Sequence, residues 1–312
     1  MSTIFGPVFS RRFGASLGID LSSSDKQCNF DCLYCELAPA PAMAYQHTVT
    51  PIETIITDLK ESLIKHSNID VITITANGEP TMYPYLDTLV EQIDMIKGAV
   101  QTLILSNSAC LSDPTVFNTL LKIDQVKLSL DAATPETFKK IDRPAEGIEI
   151  STIIESITRF SNVYTGKLFL EILFVKGVND SDTEVDALNR ILDKIHCNRI
   201  DIGTIDRPPA YAVQGLSFEA LYTIAHHFDP ELPIHIVSRT HASATPSMYS
   251  DHEILTTLDK RPLSIDDINA LFDTESKTRF ENLLSHGKIT QIERSNIIFF
   301  IPTANIHRKR SK

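Results

Sequence analysis

Three cysteines stand close together near the start of the chain and could ligate one metal centre. Cys28, Cys32 and Cys35 occur in the run CNFDCLYC, and the only other cysteines in the 312 residues are Cys110 and Cys197. A cubane of four irons and four sulfides normally takes four thiolates, so a cluster on three thiolates keeps one iron open for another ligand. The spacing therefore predicts a [4Fe–4S] cluster with one coordination position at which chemistry can occur.

Zinc binding and disulfide formation are the alternative uses of these thiols. Structural zinc takes four ligands, and the nearest fourth candidate, His47, lies in a Pro/Ala-rich stretch without a second ligand at zinc-finger spacing. Disulfides are typical of secreted chains, whereas the N-terminus has no secretory h-region and the cysteines are few and clustered. We therefore expect a cytoplasmic location, and we interpret Cys110 and Cys197 as ordinary buried thiols.

Composition and charge restrict the function further. The chain is 42% hydrophobic without an apolar run long enough to span a bilayer, so we expect a soluble globular protein that does not contact a membrane. The net charge of −11 argues against nucleic-acid binding by overall electrostatics. Residues 251–312 carry ten Lys/Arg and nine Asp/Glu, which leaves −12 for the first 250 residues.

Short β-type runs alternate with amphipathic stretches between about residues 15 and 240, a pattern typical of parallel strands with crossover helices. The predicted strands are Ser16–Leu21, Val71–Ala76, Thr102–Ser106, Val126–Asp131, Leu168–Val175 and Arg199–Ile205. The predicted helices are Ile52–Lys65, Pro84–Ile96, Thr115–Leu121, Glu149–Phe160, Asp182–Ile195 and Phe218–His227. Six such units predict an α/β fold, a partial (βα)6 barrel of the TIM type spanning residues 1–240, with the active site at the carboxyl ends of the strands.

Strand parity indicates which side chains face the inside of this barrel, because alternate residues of a strand point to opposite faces. The polar residues that it assigns to the interior are Lys127, Ser129, Asp131, Thr73, Thr75, Asn77 and Glu171. A purely structural barrel fills its interior with branched apolar side chains. Polar groups there therefore indicate a ligand cavity, although some are alternatively hydrogen-bonded core residues.

Further motifs follow the predicted strands, and with the cysteines they resemble the radical S-adenosylmethionine (SAM) superfamily. Residues 77–80, Asn-Gly-Glu-Pro, resemble the Gly-Gly-Glu motif that holds the amino group of SAM, with Asn77 in place of the first glycine. Gly78 would let the backbone approach the ligand closely. Arg143 would pair with the SAM carboxylate or form a surface salt bridge. The resemblance implies cluster ligation by Cys28, Cys32 and Cys35, and SAM binding by Tyr34, Asn77, Gly78, Glu79, Pro80, Ser106, Asn107, Ser129, Asp131 and Arg143.

The opening FGPVFSRRFG at residues 5–14 and the run DRPPA at 206–210 resemble a subfamily of cytoplasmic iron–sulfur oxidoreductases grouped near the tRNA wyosine-synthesis enzymes. The resemblance implies a reduced cluster that passes one electron to SAM, and a 5′-deoxyadenosyl radical that abstracts hydrogen from the substrate. A tRNA base is the first substrate hypothesis and a peptide the second. The implied partner is a flavodoxin- or ferredoxin-like one-electron donor. Arg11 and Arg12 would cover the cluster mouth, bind an anionic substrate or fasten the N-terminal arm.

Residues 251–303 predict a small winged-helix-like domain. Ser264 caps a short apolar helix, Thr274–His286 forms a second helix, and residues 288–300 form two strands about a Ser295-Asn296 turn. The second helix carries a neutral set of charges, so we expect substrate docking or dimerisation and not sequence-specific DNA binding. Residues 304–312 are a basic tail. The alternative to an enzyme is a zinc-dependent or non-catalytic nucleic-acid-binding regulator built on this domain.

Overall fold

Eight strands form the main sheet of the computed structural model, which describes residues 3–10, 13–22, 25–237, 246, 248–260, 262–294 and 297–304. Their order in the sheet is their order in the chain: β1 (Ile4–Ser10), β2 (Gly14–Asp20), β3 (Val71–Thr75), β4 (Gln101–Ser106), β5 (Gln125–Ser129), β6 (Lys167–Phe174), β7 (Arg199–Thr204) and β8 (Ile234–Ile236). β1 pairs with β2 in antiparallel fashion, and each later pair is parallel. The carboxyl ends of β2 to β8 therefore lie at one edge of the sheet.

Helices connect the parallel strands and bury one apolar face each. They are α1 (Ile52–Lys65), α2 (Leu86–Ile96), α3 (Pro114–Leu120), α4 (Pro135–Ile141), α5 (Ile150–Val163), α6 (Asp182–Leu192) and α7 (Phe218–His227). In α5, Ile150, Ile153, Ile157 and Phe160 recur at helical spacing and are almost fully buried. These faces pack on strands such as VITIT of β3, whose outer residues are apolar. None of the helices in the described ranges is long and apolar enough to cross a membrane.

The six predicted strands correspond to β2 to β7, and each is followed by a helix, as the predicted units require. The sheet also contains β1 and β8. β1 includes Gly6 and Pro7, which interrupt a strand pattern, and its register with β2 shifts between Phe5 and Val8. β8 is only three residues long and gives too short a signal. The structure also adds α4, which the sequence pattern left unassigned.

The interior face of the sheet is polar and internally bonded, as parity predicts. Lys127 on β5 is ion-paired with Glu171 on β6, and its Nζ lies 3.6 Å from Asp201 on β7. Arg199 Nε donates to the same Asp201 at 2.7 Å. Lys127 and Asp201 are buried, so each charge is compensated by neighbours on the next strand. These ion pairs connect β5, β6 and β7 on the interior face of the sheet.

The C-terminal segment adds three helices and a second, three-stranded antiparallel sheet with the order β10-β11-β9. The elements are α8 (Asp251–Lys260), β9 (Leu263–Ser264), α9 (Ile265–Leu271), α10 (Thr274–Ser285), β10 (Ile289–Arg294) and β11 (Ile297–Pro302). Ser264 caps α9 as predicted, in a reciprocal capping box with Asp267. The division of the chain at residues 240–251 into two domains stays a prediction.

This segment packs against the N-terminal strand. Val8 and Phe5 of β1 belong to the same apolar cluster as Tyr249, Ile254 and Phe272. Two polar contacts reinforce it: Lys260 Nζ with Asp20 at the end of β2, and Glu253 with Lys65 and His66 at the end of α1. The C-terminal segment therefore rests on the first strands of the main sheet.

Several sequence predictions fall outside the described residues. They concern Arg11, Arg12, the Ser295-Asn296 turn and the basic tail from residue 305 onward. Their roles stay predictions.

Candidate active site

The three cysteines lie on a loop between β2 and α1 that is hydrogen-bonded to three other parts of the carboxyl edge. Before the first cysteine, Gln27 N donates to Asn77 O at 2.9 Å and Glu79 N donates to Gln27 O at 3.1 Å. Inside the motif, Leu33 N donates to Ile141 O at 2.8 Å. After the last cysteine, Ala210 N donates to Cys35 O at 2.8 Å. The loop is therefore fixed at its start, middle and end.

Gly78 permits the first of these contacts. Its φ is +146°, and a Cβ at this position would lie 1.9 Å from the carbonyl oxygen of Gln27. Only glycine combines this backbone conformation with such a close approach. The motif resemblance predicts that Gly78 makes room for a ligand. In the structure, the group that occupies this room is the backbone that leads into Cys28.

Glu79 is almost fully buried and joins the segment after β3 to the segment after β4. Its Oε1 accepts hydrogen bonds from Thr81 N at 3.0 Å and from Ser106 Oγ at 2.8 Å. Its Oε2 accepts from Asn107 N at 2.7 Å. Burial raises the pKa of Glu79, and these hydrogen bonds oppose that shift. Pro80 begins a short 3-10 turn beside it. Glu79 thus holds together the segments on which the predicted SAM-binding residues lie.

Asn107 contacts the cluster loop directly. Its Nδ2 donates to Asn29 Oδ1 at 2.6 Å and lies 3.7 Å from Cys28 Sγ. Phe30 N lies 3.4 Å from the same sulfur and also donates to it. Asn29 in turn donates to Cys110 Sγ at 3.4 Å. N–H donors directed at a sulfur stabilise its thiolate form, so the N–H groups of Asn107 and Phe30 favour the thiolate of Cys28.

Two buried carboxyl groups lie beside the middle cysteine. Cys32 Sγ is 3.3 Å from Asp142 Oδ1, and the Tyr34 hydroxyl donates to Asp131 Oδ2. Asp131 Oδ1 also accepts from Leu173 N at 2.7 Å, which ties the loop to β6. Burial raises the pKa of Asp131 to about 7 and that of Asp142 well above its usual range. In the structure, Tyr34 and Asp131 are hydrogen-bonded to each other. Their predicted contacts with SAM stay predictions.

Asn77 and Ser129, two further predicted SAM contacts, lie at the same edge. Asn77 N donates to Asp20 Oδ1 at 3.0 Å, so the turn after β3 is tied to the end of β2. Ser129 ends β5, and its carbonyl accepts from Ser108 Oγ at 2.8 Å. Every predicted cofactor residue except Tyr34 and Arg143 thus lies at a strand end or within a few residues after it. The structure brings them to one edge, and their contacts with SAM remain to be tested.

Arg143 forms an ion pair within the protein. Its guanidinium is 3.6 Å from Asp31 Oδ2 and lies over the ring of Tyr211, 4.5 Å from the centroid. The residue has a φ of +49°, which is uncommon for a non-glycine residue. Of its two predicted roles, the structure shows a salt bridge, and pairing with the SAM carboxylate stays a prediction.

Burial disfavours the thiolate form of all three cysteines. Burial raises the pKa of Cys28 to about 12, and it raises the pKa of Cys32 and Cys35 as well. Cys35 and Cys28 each raise the pKa of Cys32 further, so the three sulfurs lie within electrostatic range of one another. Lys26 opposes these shifts at Cys28 and Cys35. Deprotonation of three neighbouring buried thiols requires a strong positive charge, which iron supplies.

A single metal ion fits this set less well. Within the described ranges, no three His, Cys, Asp or Glu side chains converge closely enough to hold one ion. A cubane instead distributes its thiolates over different irons. Three cysteine thiols on one loop are the donor type that such a cluster takes.

Four residues with polar contacts in or to the cysteine loop were not singled out from the sequence: Lys26, Asp31, Asp142 and Tyr211. Lys26 Nζ donates to Asp31 Oδ1 at 2.9 Å, and the Tyr211 hydroxyl donates to Asp31 Oδ2. Asp31 lies inside the cysteine motif, and Tyr211 directly follows the DRPPA run. Proximity to these two motifs is the sequence feature by which Asp31 and Tyr211 could have been identified. Lys26 and Asp31 are five residues apart, but Tyr211 is 180 residues from Asp31 and Asp142 is 110 residues from Cys32, so spacing could not reveal these two contacts.

Comparisons with known proteins agree with this geometry. The model of the radical SAM superfamily matches residues 26–188. A UPF0026 protein from Helicobacter pylori strain J99 is 40% identical over 92% of this chain and 93% of its own length. A UPF0026 protein from Synechocystis is 32% identical over 66% of this chain and 75% of its own length.

A solved structure shows the same fold. The crystal structure of a radical SAM methyltransferase from Sphaerobacter thermophilus superimposes with a TM-score of 0.55, covering 72% of this chain and 67% of the other, at 15% identity. At that identity the likeness concerns the fold alone. The family match and the Helicobacter relative carry the assignment, and the chain therefore belongs to the radical SAM superfamily, whose enzymes use a [4Fe–4S] cluster and S-adenosylmethionine.

Proposed function

We propose that this enzyme uses one [4Fe–4S] cluster on Cys28, Cys32 and Cys35 to cleave SAM reductively. When bound, the cluster and SAM would supply a 5′-deoxyadenosyl radical that abstracts hydrogen from a substrate. The observation that carries the proposal is the bonded unit formed by the cysteine loop with residues 77–80 and Asn107. It places three thiols and the predicted SAM-binding segments at one edge of the sheet.

The protein's own groups would position the reactants. The N–H groups of Phe30 and Asn107 stabilise the Cys28 thiolate, and Lys26 lies within electrostatic range of Cys28 and Cys35. A carboxylate oxygen has two lone pairs, so Glu79 Oε2 can accept from the ammonium of SAM while it accepts from Asn107 N. The apolar rings of Phe30 and Phe138, 5.4 Å apart, pack beside the cysteine loop and would exclude water.

We infer a tRNA base as the first substrate candidate. The resemblance to the wyosine-related subfamily and the basic run at residues 307–312 favour it. A peptide is the second candidate. The C-terminal segment has the helix, strand, helix, helix and hairpin order of a winged helix, and we propose that it docks the substrate or a second copy of the chain. The electron donor would be flavodoxin- or ferredoxin-like, and the regulator hypothesis gains no support from the fold or the relatives.

Anaerobic reconstitution tests the cluster. The expected product is a brown protein with about four irons and four sulfides per chain that converts SAM to 5′-deoxyadenosine after reduction. A colourless protein with one zinc per chain would refute the enzyme proposal and favour the regulator. Mass spectrometry of tRNA nucleosides from a deletion strain and its parent then tests the substrate. A nucleoside missing from the deletion strain is expected, and identical profiles would argue against tRNA.

A further inference from the structure

A loop that follows β7 crosses the carboxyl edge and contacts the cysteine loop. We call residues 205–216 the strap. Its two ends are held together beside Thr204, because Leu216 N donates to Thr204 Oγ1 at 2.7 Å and Gly215 pairs with Val175, the residue that follows β6. Surface loops with joined ends are compact and often functional. The strap can therefore hold a defined shape away from the sheet.

The far end of the strap contacts the cysteine loop at three points. Ala210 N donates to the carbonyl of Cys35 at 2.8 Å. Arg207 Nη1 lies 3.0 Å and 3.3 Å from the two carboxylate oxygens of Glu36, the residue after that cysteine. The Tyr211 hydroxyl donates to Asp31, the residue before Cys32. Both halves of the cysteine motif are thus attached to one distant loop.

Asp31 connects the strap to a buried cation. One of its oxygens accepts from Lys26 Nζ at 2.9 Å, and the other accepts from Tyr211 and lies 3.6 Å from Arg143. The Lys26 side chain is only 5% exposed and lies within electrostatic range of Cys28 and Cys35. The contacts of Asp31 therefore determine where this positive charge lies relative to the thiols.

We propose that the strap is a positioning element for the cluster. On this proposal, Tyr211 and Arg207 fix the cysteine loop and, through Asp31, the Lys26 ammonium, so that the cluster is retained in one environment. The inference rests on the proposed function, because it requires the chain to hold a cluster. No chemical step is assigned to Tyr211 or Arg207.

The test uses the reconstituted protein under anaerobic conditions and has two measurements. One is the rate of iron release to a colourless chelator, and the other is the EPR spectrum of the reduced cluster. Tyr211→Phe removes the hydroxyl and keeps the ring beneath Arg143. We expect iron release at least about tenfold faster than in the wild type, since a hydrogen bond to a carboxylate is lost. We also expect a broadened EPR signal. Arg207→Gln should act similarly, and Arg207→Lys, which keeps the charge, should restore part of the retention.

Tyr222→Phe is the matched control, because Tyr222 is a half-exposed tyrosine on α7. Equal iron release and EPR line shape in Tyr211→Phe and Tyr222→Phe would overturn the proposal. A fall in the unfolding temperature of the cluster-free Tyr211→Phe protein that accounts for its faster iron release would also overturn the proposal, because it would indicate a general folding role. A wild-type protein that binds no cluster would refute the proposed function itself, whereas a wild type with a cluster and an unaffected variant would refute only the inference.

Discussion

Replacing Gly78 by alanine gives the most direct test of how the site is built. The added Cβ would lie 1.9 Å from Gln27 O and 2.4 Å from Gln27 C. These are backbone atoms, which cannot rotate aside as a flexible side chain can. The φ of +146° is also unfavourable for alanine. We therefore expect the segment after β3 to move away from the residue that precedes Cys28.

The magnitude follows from these contacts. An unfavourable backbone conformation costs about 1–3 kcal/mol. Separation of the two segments breaks the hydrogen bonds Gln27 N to Asn77 O and Glu79 N to Gln27 O, each worth about 0.5–1.5 kcal/mol. The expected loss is about 2–6 kcal/mol, a large part of the stability of an ordinary domain. It should also reduce iron incorporation, because the displaced segment leads directly into the cluster loop.

Gly98→Ala is the matched control. Gly98 has a φ of +59°, and a Cβ there would meet nothing within 4 Å, so only the left-handed backbone is penalised, at about 1–2 kcal/mol. Urea unfolding of the cluster-free proteins measures stability, and iron analysis after anaerobic reconstitution measures loading. If Gly78→Ala matches Gly98→Ala in both measurements, the close approach does not hold the site together and the reasoning is refuted.

Two other predictions concern the thiols and the contact between the C-terminal segment and α1. Cys32→Ala should lose most of its iron, whereas Cys110→Ala should retain it; equal iron contents would contradict the ligand assignment. Glu253→Gln should lower the free energy of unfolding at pH 7 by about 1.5–3 kcal/mol, since Glu253 accepts hydrogen bonds from Lys65 and His66. Burial raises the pKa of Glu253, but these bonds hold it below its ordinary 4.5, so the stabilisation is present above about pH 4.5 and declines as the pH falls below it. Denaturation at several pH values should therefore show that the difference in free energy of unfolding between the wild type and Glu253→Gln becomes smaller in acid. A difference that stays constant with pH would show that the Glu253 carboxylate is not its origin.

The sequence predicted the parts of the fold that repeat a local pattern. Lys127 and Glu171 were assigned to the interior by alternation, and the structure pairs them. β1 was missed because Gly6 and Pro7 break the alternation, and its pairing with β2 compensates for the interruption. Periodicity reports burial along one segment. A strand such as β1, whose own pattern is interrupted and which depends on its pairing with β2, therefore gives a weak signal.

The candidate site was predicted in its residue types and not in its contacts. Spacing identified Cys28, Cys32 and Cys35, and motif resemblance identified Glu79. Glu79 accepts two local hydrogen bonds from Thr81, whereas those from Ser106 and Asn107 depend on how two loops meet. Such meetings between distant segments are set by tertiary packing and leave no periodic trace in the sequence.

The packing of β1 against the C-terminal segment has a consequence for synthesis on the ribosome. β1 is translated before the C-terminal segment and forms an edge of the main sheet, yet Val8 and Phe5 obtain their apolar neighbours only when Tyr249 and the helices after it have been translated. Until then, the nascent chain presents an uncovered edge strand with an apolar side, the kind of surface that pairs with other chains. The C-terminal segment thus protects β1, and a chain truncated before Tyr249 would expose this strand and be prone to aggregation.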